Sequence, residues 1–196
     1  MPFLGRGAKR TIRSPEDVPD DPARPDTVLI YHSNGGSSLQ YAKWLVEDLD
    51  CDVMPYSRQR LGYVTLYPNV IFLSWLRAGE ITRLRLLRQF ADTFLLPSKK
   101  VILAAVGLSD PTPNVLAQIR RRNMEPEFVY PSLHFLPGSH HPARGRFLKW
   151  MYGQGMYDGL SQEEAETLRG RLQRGWNGMD RGRLTPVVQE IFLTRV

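Results

Sequence analysis

Val28–Leu45 reads VLIYHSNGGSSLQYAKWL. An apolar run of strand length ends at His32 and meets the small polar cluster Ser33-Asn34-Gly35-Gly36-Ser37-Ser38. Apolar residues return at Leu39, Ala42, Leu45, Val46 and Leu49, the spacing of one helix face. The stretch is therefore strand, turn and helix. Glycines let the backbone of such a turn approach a ligand, and free amides at the helix start, with its positive end, suit an anion. Two readings stand at this point: an ordinary corner capped by Ser37, or a phosphate cradle. The cluster has neither the Gly-Lys-Ser/Thr of a P-loop nor the GxGxxG spacing.

The same alternation continues outward. Asp52–Tyr56, Asn69–Trp75 (NVIFLSW), Lys100–Val106 (KVILAAV) and Tyr130–Leu136 (YPSLHFL) read as further strands. Between and after them, Glu80–Leu96, Pro113–Asn123, Arg146–Gly153, Ser161–Arg174 and Leu184–Phe192 carry helical spacing. Asp110 or Thr112 can cap the helix that begins at Pro113, and Ser161 with Glu164 forms a capping box. Continuously apolar strands that alternate with helices predict a parallel sheet covered on both faces. Five strands in this length predict a three-layer α/β sandwich in the flavodoxin-like order 2-1-3-4-5. In that order the strand direction of winding reverses between the first and third strands, and ligands bind beyond the carboxyl ends there.

With 196 residues, 42% of them hydrophobic and 23% charged, the chain is expected to form one globular domain. Residues 1–25 hold five prolines among scattered charges and read as a flexible arm or surface strap, with the domain over 26–196. No apolar run is long enough for a bilayer and no signal-peptide pattern precedes Ser14, so a cytoplasmic protein is expected. Cys51 stands alone, which excludes an internal disulfide and a thiolate cluster. The net charge of +6 suits an anionic partner: nucleic acid, an acidic protein or an anionic membrane surface.

YHSNGGSSLQYAKWL resembles the phosphate loop of flavodoxin domains, roughly Ser/Thr-x-Thr-Gly-x-Thr, with Ser33, Gly36 and Ser38 at matching positions. Gly35 and Ser38 stand where that family usually has threonine. VIFLSWLRAGEI (Val70–Ile81) and VILAAVGLSDPTP (Val101–Pro113) resemble its two flavin loops, and LTPVVQEI its last helix. The similarity runs in order over residues 27–196, closest to the branch of short proteins that includes menaquinone-dependent protoporphyrinogen oxidase. It implies FMN held by its phosphate at Ser33–Ser38, including Asn34, Gly35 and Ser37. The flavin ring is then expected between Ser74, Trp75, Leu76, Arg77, Ala78 and Gly79 on one side and Gly107, Leu108, Ser109 and Asp110 on the other. Trp75 either stacks on the ring or closes the core. Arg77 either faces the flavin or is a solvated loop charge. Ala78-Gly79 offers a flexible peptide beside it. Leu73 and Ser74 replace the family's usual glycines, and Arg77 its usual tyrosine.

Other chemistry finds less support. His32, His134, His140 and His141 do not make a metal set, since the adjacent pair cannot easily face one ion. No Gly-x-Ser-x-Gly elbow is present, and no general acid or base stands out. Arg120-Arg121-Arg122 is placed where a helix C-terminus favours positive charge, without stacking aromatics for RNA. The expected function is an FMN-binding redox protein, an electron carrier or small quinone-linked oxidoreductase, working with a redox partner protein or a quinone. The alternative is a flavodoxin fold without flavin that acts as a binding or scaffolding module.

Overall fold

A computed structural model describes residues 11–12, 17, 24–34, 36–142 and 158–195. Gly35, the helix expected over Arg146–Gly153, and most of the N-terminal stretch lie outside the described residues. Five parallel strands form the sheet: β1 (Thr27–His32), β2 (Asp52–Pro55), β3 (Asn69–Arg77), β5 (Lys100–Gly107) and β6 (Ser132–Pro137). Their order is β2-β1-β3-β5-β6, and a two-residue β4 (Glu80–Ile81) hangs antiparallel from the end of β3. Leaving β4 aside, this is the expected 2-1-3-4-5 winding, the flavodoxin-like fold. Thr11 bridges to Val53 and the Ile12 amide donates to the Val53 carbonyl at 2.9 Å, so this short segment lies along the β2 edge.

The apolar strands are buried because each alternates its side chains between two cores. Val28 and Ile30, Val70 and Phe72, and Val101, Leu103 and Ala105 face one core. Leu29, Ile71, Leu73, Ile102, Ala104 and Val106 face the other. The second core is closed by α1 (Ser37–Asp48) through Tyr41, Ala42, Leu45 and Val46, and by the last helix through Val187 and Ile191. The first is closed by Leu84 and Leu87 of α2 (Leu84–Gln89), with Met124 and Phe128 beyond α3 (Pro113–Asn123). Fully burying one such side chain contributes about 1.5–3 kcal/mol, so these two layers dominate the stability. The other α-helices among the described residues are α4 (Gln162–Arg174), which starts at the expected Ser161–Glu164 capping box, and α5 (Thr185–Phe192).

Glu80–Leu96 departs from the expected continuous helix. β3 runs on through Arg77, turns at Ala78 (φ 50°) and Gly79 (φ 77°), and returns as β4. Two successive positive φ values make the tight hairpin turn that matches strand twist. Asn123 at the end of α3 supplies the missing partners: its Oδ1 accepts from the Ile81 amide and its Nδ2 donates to the Gly79 carbonyl, both at 2.7 Å. Arg83 (φ 69°) then resets the chain, leaving α2 only six residues. The apolar spacing is real, for Ile81, Leu84 and Leu87 are all buried, but it belongs to a hairpin and a short helix. Two features went unread in the sequence: a 3-10 stretch at Arg58–Leu66, and a small antiparallel pair, β7 (Ser139–His140) with β8 (Trp176–Asn177).

Candidate functional site

β1 ends at His32, and Gly36 enters α1 in the left-handed region (φ 95°), a conformation glycine adopts without strain. No side chain caps the helix. Its first-turn amides have no intrahelical acceptor, so the helix start presents donors together with its positive end. Ser37 and Ser38 are buried. The Ser37 hydroxyl accepts from the Ser139 amide and contacts the Ser139 hydroxyl, each at 2.9 Å, so it fastens β7 onto the helix start. Tyr41 adds a second tie: its hydroxyl donates to the Pro137 carbonyl at 2.6 Å and accepts from the Asp180 amide at 3.1 Å.

Beyond the carboxyl ends of β1, β3, β5 and β6 lies a cavity of about 550 Å³. That is within the range of about 300–1,000 Å³ typical of small-molecule sites. Of the residues expected at the site, the wall brings together Asn34, Ser37, Ser38, Trp75, Leu76, Arg77, Ala78, Gly79, Gly107, Leu108 and Ser109. Ser33, Gly36, Ser74 and Asp110 do not line it. Ser74 is fully buried and bonds Thr82 Oγ1 at 2.9 Å, so it braces the β3–β4 hairpin. Asp110 pairs with Arg171 at 2.8 Å, and Thr112 rather than Asp110 caps α3.

Two loops of the wall are held from a distance. Arg171 of α4 donates to the Leu108 carbonyl at 2.5 Å and to Asp110, while its guanidinium lies 4.0 Å over the Trp176 ring. Arg122 of α3 donates to the Ala78 carbonyl at 2.5 Å. With Asn123 on the Gly79 carbonyl, the turn expected to be a flexible peptide is clamped on both carbonyls. Gly107 ends β5 where a Cβ would sit 2.7 Å from Phe135 and 2.9 Å from Leu76, so glycine permits the close approach of that ring.

The sequence reading missed half of the wall. His32 ends β1 and Arg83 precedes α2; Val115, Gln118 and Ile119 come from α3; Gly138, Ser139 and His140 come from the end of β6. The sequence held one usable signal, since every parallel strand must present its carboxyl end at this edge and PGSHH follows the fifth. His32 is held below its ordinary value by burial, then by Arg83. His140 is lowered by burial, then by His141. Burial and neighbouring positive charge thus favour the neutral form of both imidazoles, and Arg77 and Arg83 bring positive charge to the wall. Three side-chain nitrogens of wall residues, Trp75 Nε1, Gln118 Nε2 and His140 Nε2, are buried without a hydrogen-bond partner among the described residues. A buried donor left unpaired costs about 1–3 kcal/mol, so such groups mark a polar site rather than a packed core.

Neither a family model nor a curated protein sequence matches the chain. Solved structures similar to it include two that share under a fifth of its residues. The Trp repressor binding protein from Bacillus subtilis is 15% identical, with a TM-score of 0.44 over 69% of this chain and 99% of that one. A flavodoxin from the domain Archaea is 19% identical, with a TM-score of 0.34 over 73% of this chain and 98% of that one. The parallel register and strand order, rather than these similarities, identify the flavodoxin-like fold. Among the described residues, no group of His, Cys, Asp or Glu is placed to hold a metal ion, and no helix is long and apolar enough to cross a membrane.

Proposed function

We propose that the chain binds FMN in this cavity and serves as an electron carrier or a small quinone-linked oxidoreductase. The observation that carries the reading is an uncapped helix start opening onto a cavity at the winding reversal of the sheet, with His32 and Arg83 in the cavity wall. The residues present fit the group. Among the described residues no aspartate or glutamate lines the cavity, Arg77 and Arg83 do, and buried nitrogens lie unpaired at the wall. The first-turn amides of α1 and the Ser38 hydroxyl would hold the phosphate, with Arg77 and Arg83 balancing its charge. Trp75 and the Leu108–Ser109 segment would flank the ring, and Val115, Ile119 and Leu168 would exclude water from it. FMN, when bound, supplies reversible electron and hydride transfer, and the protein supplies binding, orientation and electrostatics.

A specific observation favours the second reading, a binding module without flavin. The Ser37 hydroxyl and the Ala78 carbonyl, two polar groups at the wall, are already turned to protein partners. Purification and titration separate the two readings. The first expects a yellow preparation, or fluorescence quenching on adding FMN, with riboflavin bound about 30-fold more weakly because the helix-start contact is worth up to ~2 kcal/mol. A colourless protein that fails to bind added FMN rejects it. Gly36→Asp provides the positional check. A Cβ there meets nothing within 4 Å, aspartate tolerates positive φ better than most residues, and its carboxylate opposes the phosphate. Unchanged FMN affinity in a folded Gly36→Asp protein would remove the cradle from this place.

A further inference from the structure

Side chains of α3 hold two turns of the chain. Asn123 Nδ2 donates to the Gly79 carbonyl at 2.7 Å, and Arg122 Nη1 to the Ala78 carbonyl at 2.5 Å. Asn114 Nδ2 donates to the Gly159 carbonyl at 3.1 Å, and Arg122 Nη2 reaches the Asp158 carbonyl at 3.5 Å. Gln118 lies between these residues on the helix, with its amide against the same two turns. A Cβ on Gly159 would fall 2.4 Å from Gln118 Nε2, and one on Gly79 would fall 3.7 Å from Gln118 Oε1. Gln118 is only 7% exposed, yet its Nε2 has no hydrogen-bond partner among the described residues. The carbonyls of both turns already take donors from Asn114, Arg122 and Asn123.

The place of Gln118 on its helix breaks the rule for a core face. Val115, Gln118 and Ile119 follow the spacing that brings side chains to one side of a helix. All three are buried and all three line the cavity, together with Leu160 and with Leu168 of α4. An unbranched apolar side chain would fill the same position without a stranded donor. A buried amide kept at a cost, in an otherwise apolar stretch of cavity wall, points to an acceptor that a ligand brings. The last torsion of glutamine is broad and roughly two-fold, so the amide can turn its N–H groups from Gly159 to the cavity with little strain.

We propose that Gln118 sets the specificity of the cavity, by donating from Nε2 to a carbonyl oxygen or ring nitrogen at the edge of the bound heterocycle. The proposal rests on the flavin reading and names the side chain that selects the ring. Its role is separate from that of the α1 start, which faces the phosphate in that reading. Trp75 Nε1 is a donor only and is also unpaired at the wall, which favours the same class of ligand, a planar ring with acceptors on its edge. A ring without such an acceptor leaves Nε2 unpaired in the complex. A site built to hydrogen-bond its ligand rejects an analogue that lacks the partner more strongly than apolar contact does.

The test compares wild type, Gln118→Met and a control, Gln189→Met, at an exposed position of α5. Each is titrated with FMN, with its 1-deaza and 5-deaza analogues, and with its 2-thio and 4-thio analogues, which alter one edge acceptor at a time. Thermal melts are run with and without FMN. Gln118→Met is expected to bind FMN about tenfold more weakly, and the control to bind as wild type does. One analogue is expected to lose a similar factor in wild type and little further in Gln118→Met, so that residue and acceptor are coupled. Without FMN, Gln118→Met is expected to melt roughly 2–4 °C higher, because its unpaired donor is gone. Stability and affinity moving in opposite directions is a signature that a structural glutamine does not give. Lower stability together with lower affinity overturns the proposal, as does additivity for all four analogues. Wild type that binds FMN no better than Gln118→Met overturns this proposal alone. Wild type that binds no FMN overturns the flavin reading and this proposal with it.

Discussion

Gly107→Ala tests how the cavity wall is packed. Gly107 is buried at the end of β5, paired with Pro137, and its carbonyl accepts from the Gly138 amide at 2.7 Å. An added Cβ falls 2.7 Å and 2.9 Å from Phe135 Cε2 and Cζ, and 2.9 Å from Leu76 Cδ1. Carbon atoms rest about 3.5–4.0 Å apart, so each neighbour must yield by roughly 1 Å. Overpacking of this kind costs about 1–3 kcal/mol, and the lower entropy of the unfolded alanine chain returns ~0.4–1 kcal/mol because Gly107 does not sit at positive φ. The expected net loss is about 1–2 kcal/mol, or a Tm lower by roughly 2–8 °C for a chain of this size. Thermal and urea unfolding of the wild type, Gly107→Ala, Phe135→Leu and the double variant read it directly. Phe135→Leu clears the nearer contact, so the double variant is expected to recover about 1 kcal/mol against additivity. Ligand affinity in the cavity is expected to fall with Gly107→Ala, since Leu76 moves at the wall, and to recover with it. A Gly107→Ala protein within about 0.5 kcal/mol of wild type, or an additive cycle, refutes this account of the packing.

Glu190 of α5 meets Lys100, Ser132 and His134 at the far end of β5 and β6, with His134 Nε2 at 2.6 Å. Burial raises its carboxyl, but bonds from Lys100, Ser132 and His134 outweigh that and hold it below the ordinary 4.5. Its contribution is therefore complete above the unfolded value and lost as pH falls through the folded one. Glu190→Gln is expected to lose about 2 kcal/mol at pH 7, with a flatter decline of stability in acid, as measured by thermal melts across pH. Arg171→Lys removes the fork that spans the Leu108 carbonyl and Asp110 and loses the planar contact with Trp176. It is expected to cost about 1.5–3 kcal/mol in urea unfolding and to weaken binding in the cavity, whereas an innocent surface arginine would change neither. Tyr41→Phe strands the Pro137 carbonyl and the Asp180 amide and is expected to cost about 1–3 kcal/mol in the same assay.

The sheet was legible because its strands are apolar on both faces. Thr27–His32, Asn69–Arg77 and Lys100–Gly107 can be buried only between two layers of helix, and alternation with helices leaves a parallel winding. The place of the cavity followed from the same logic, since a winding order sets which strand ends open onto a crevice. What remained hidden rests on side chains that reach across long stretches of chain. Spacing of apolar residues records burial, not backbone path, so Ile81, Leu84 and Leu87 read as one helix until Asn123 and Arg122 gripped the Ala78-Gly79 turn. Gln118 and Arg171 look like any polar residue on a helix. Only tertiary packing sets one in the cavity wall and the other under the Leu108 loop. Local composition thus determined the layers and their order. The shape and charge of the cavity arose from contacts between residues tens of positions apart, which no local pattern encodes.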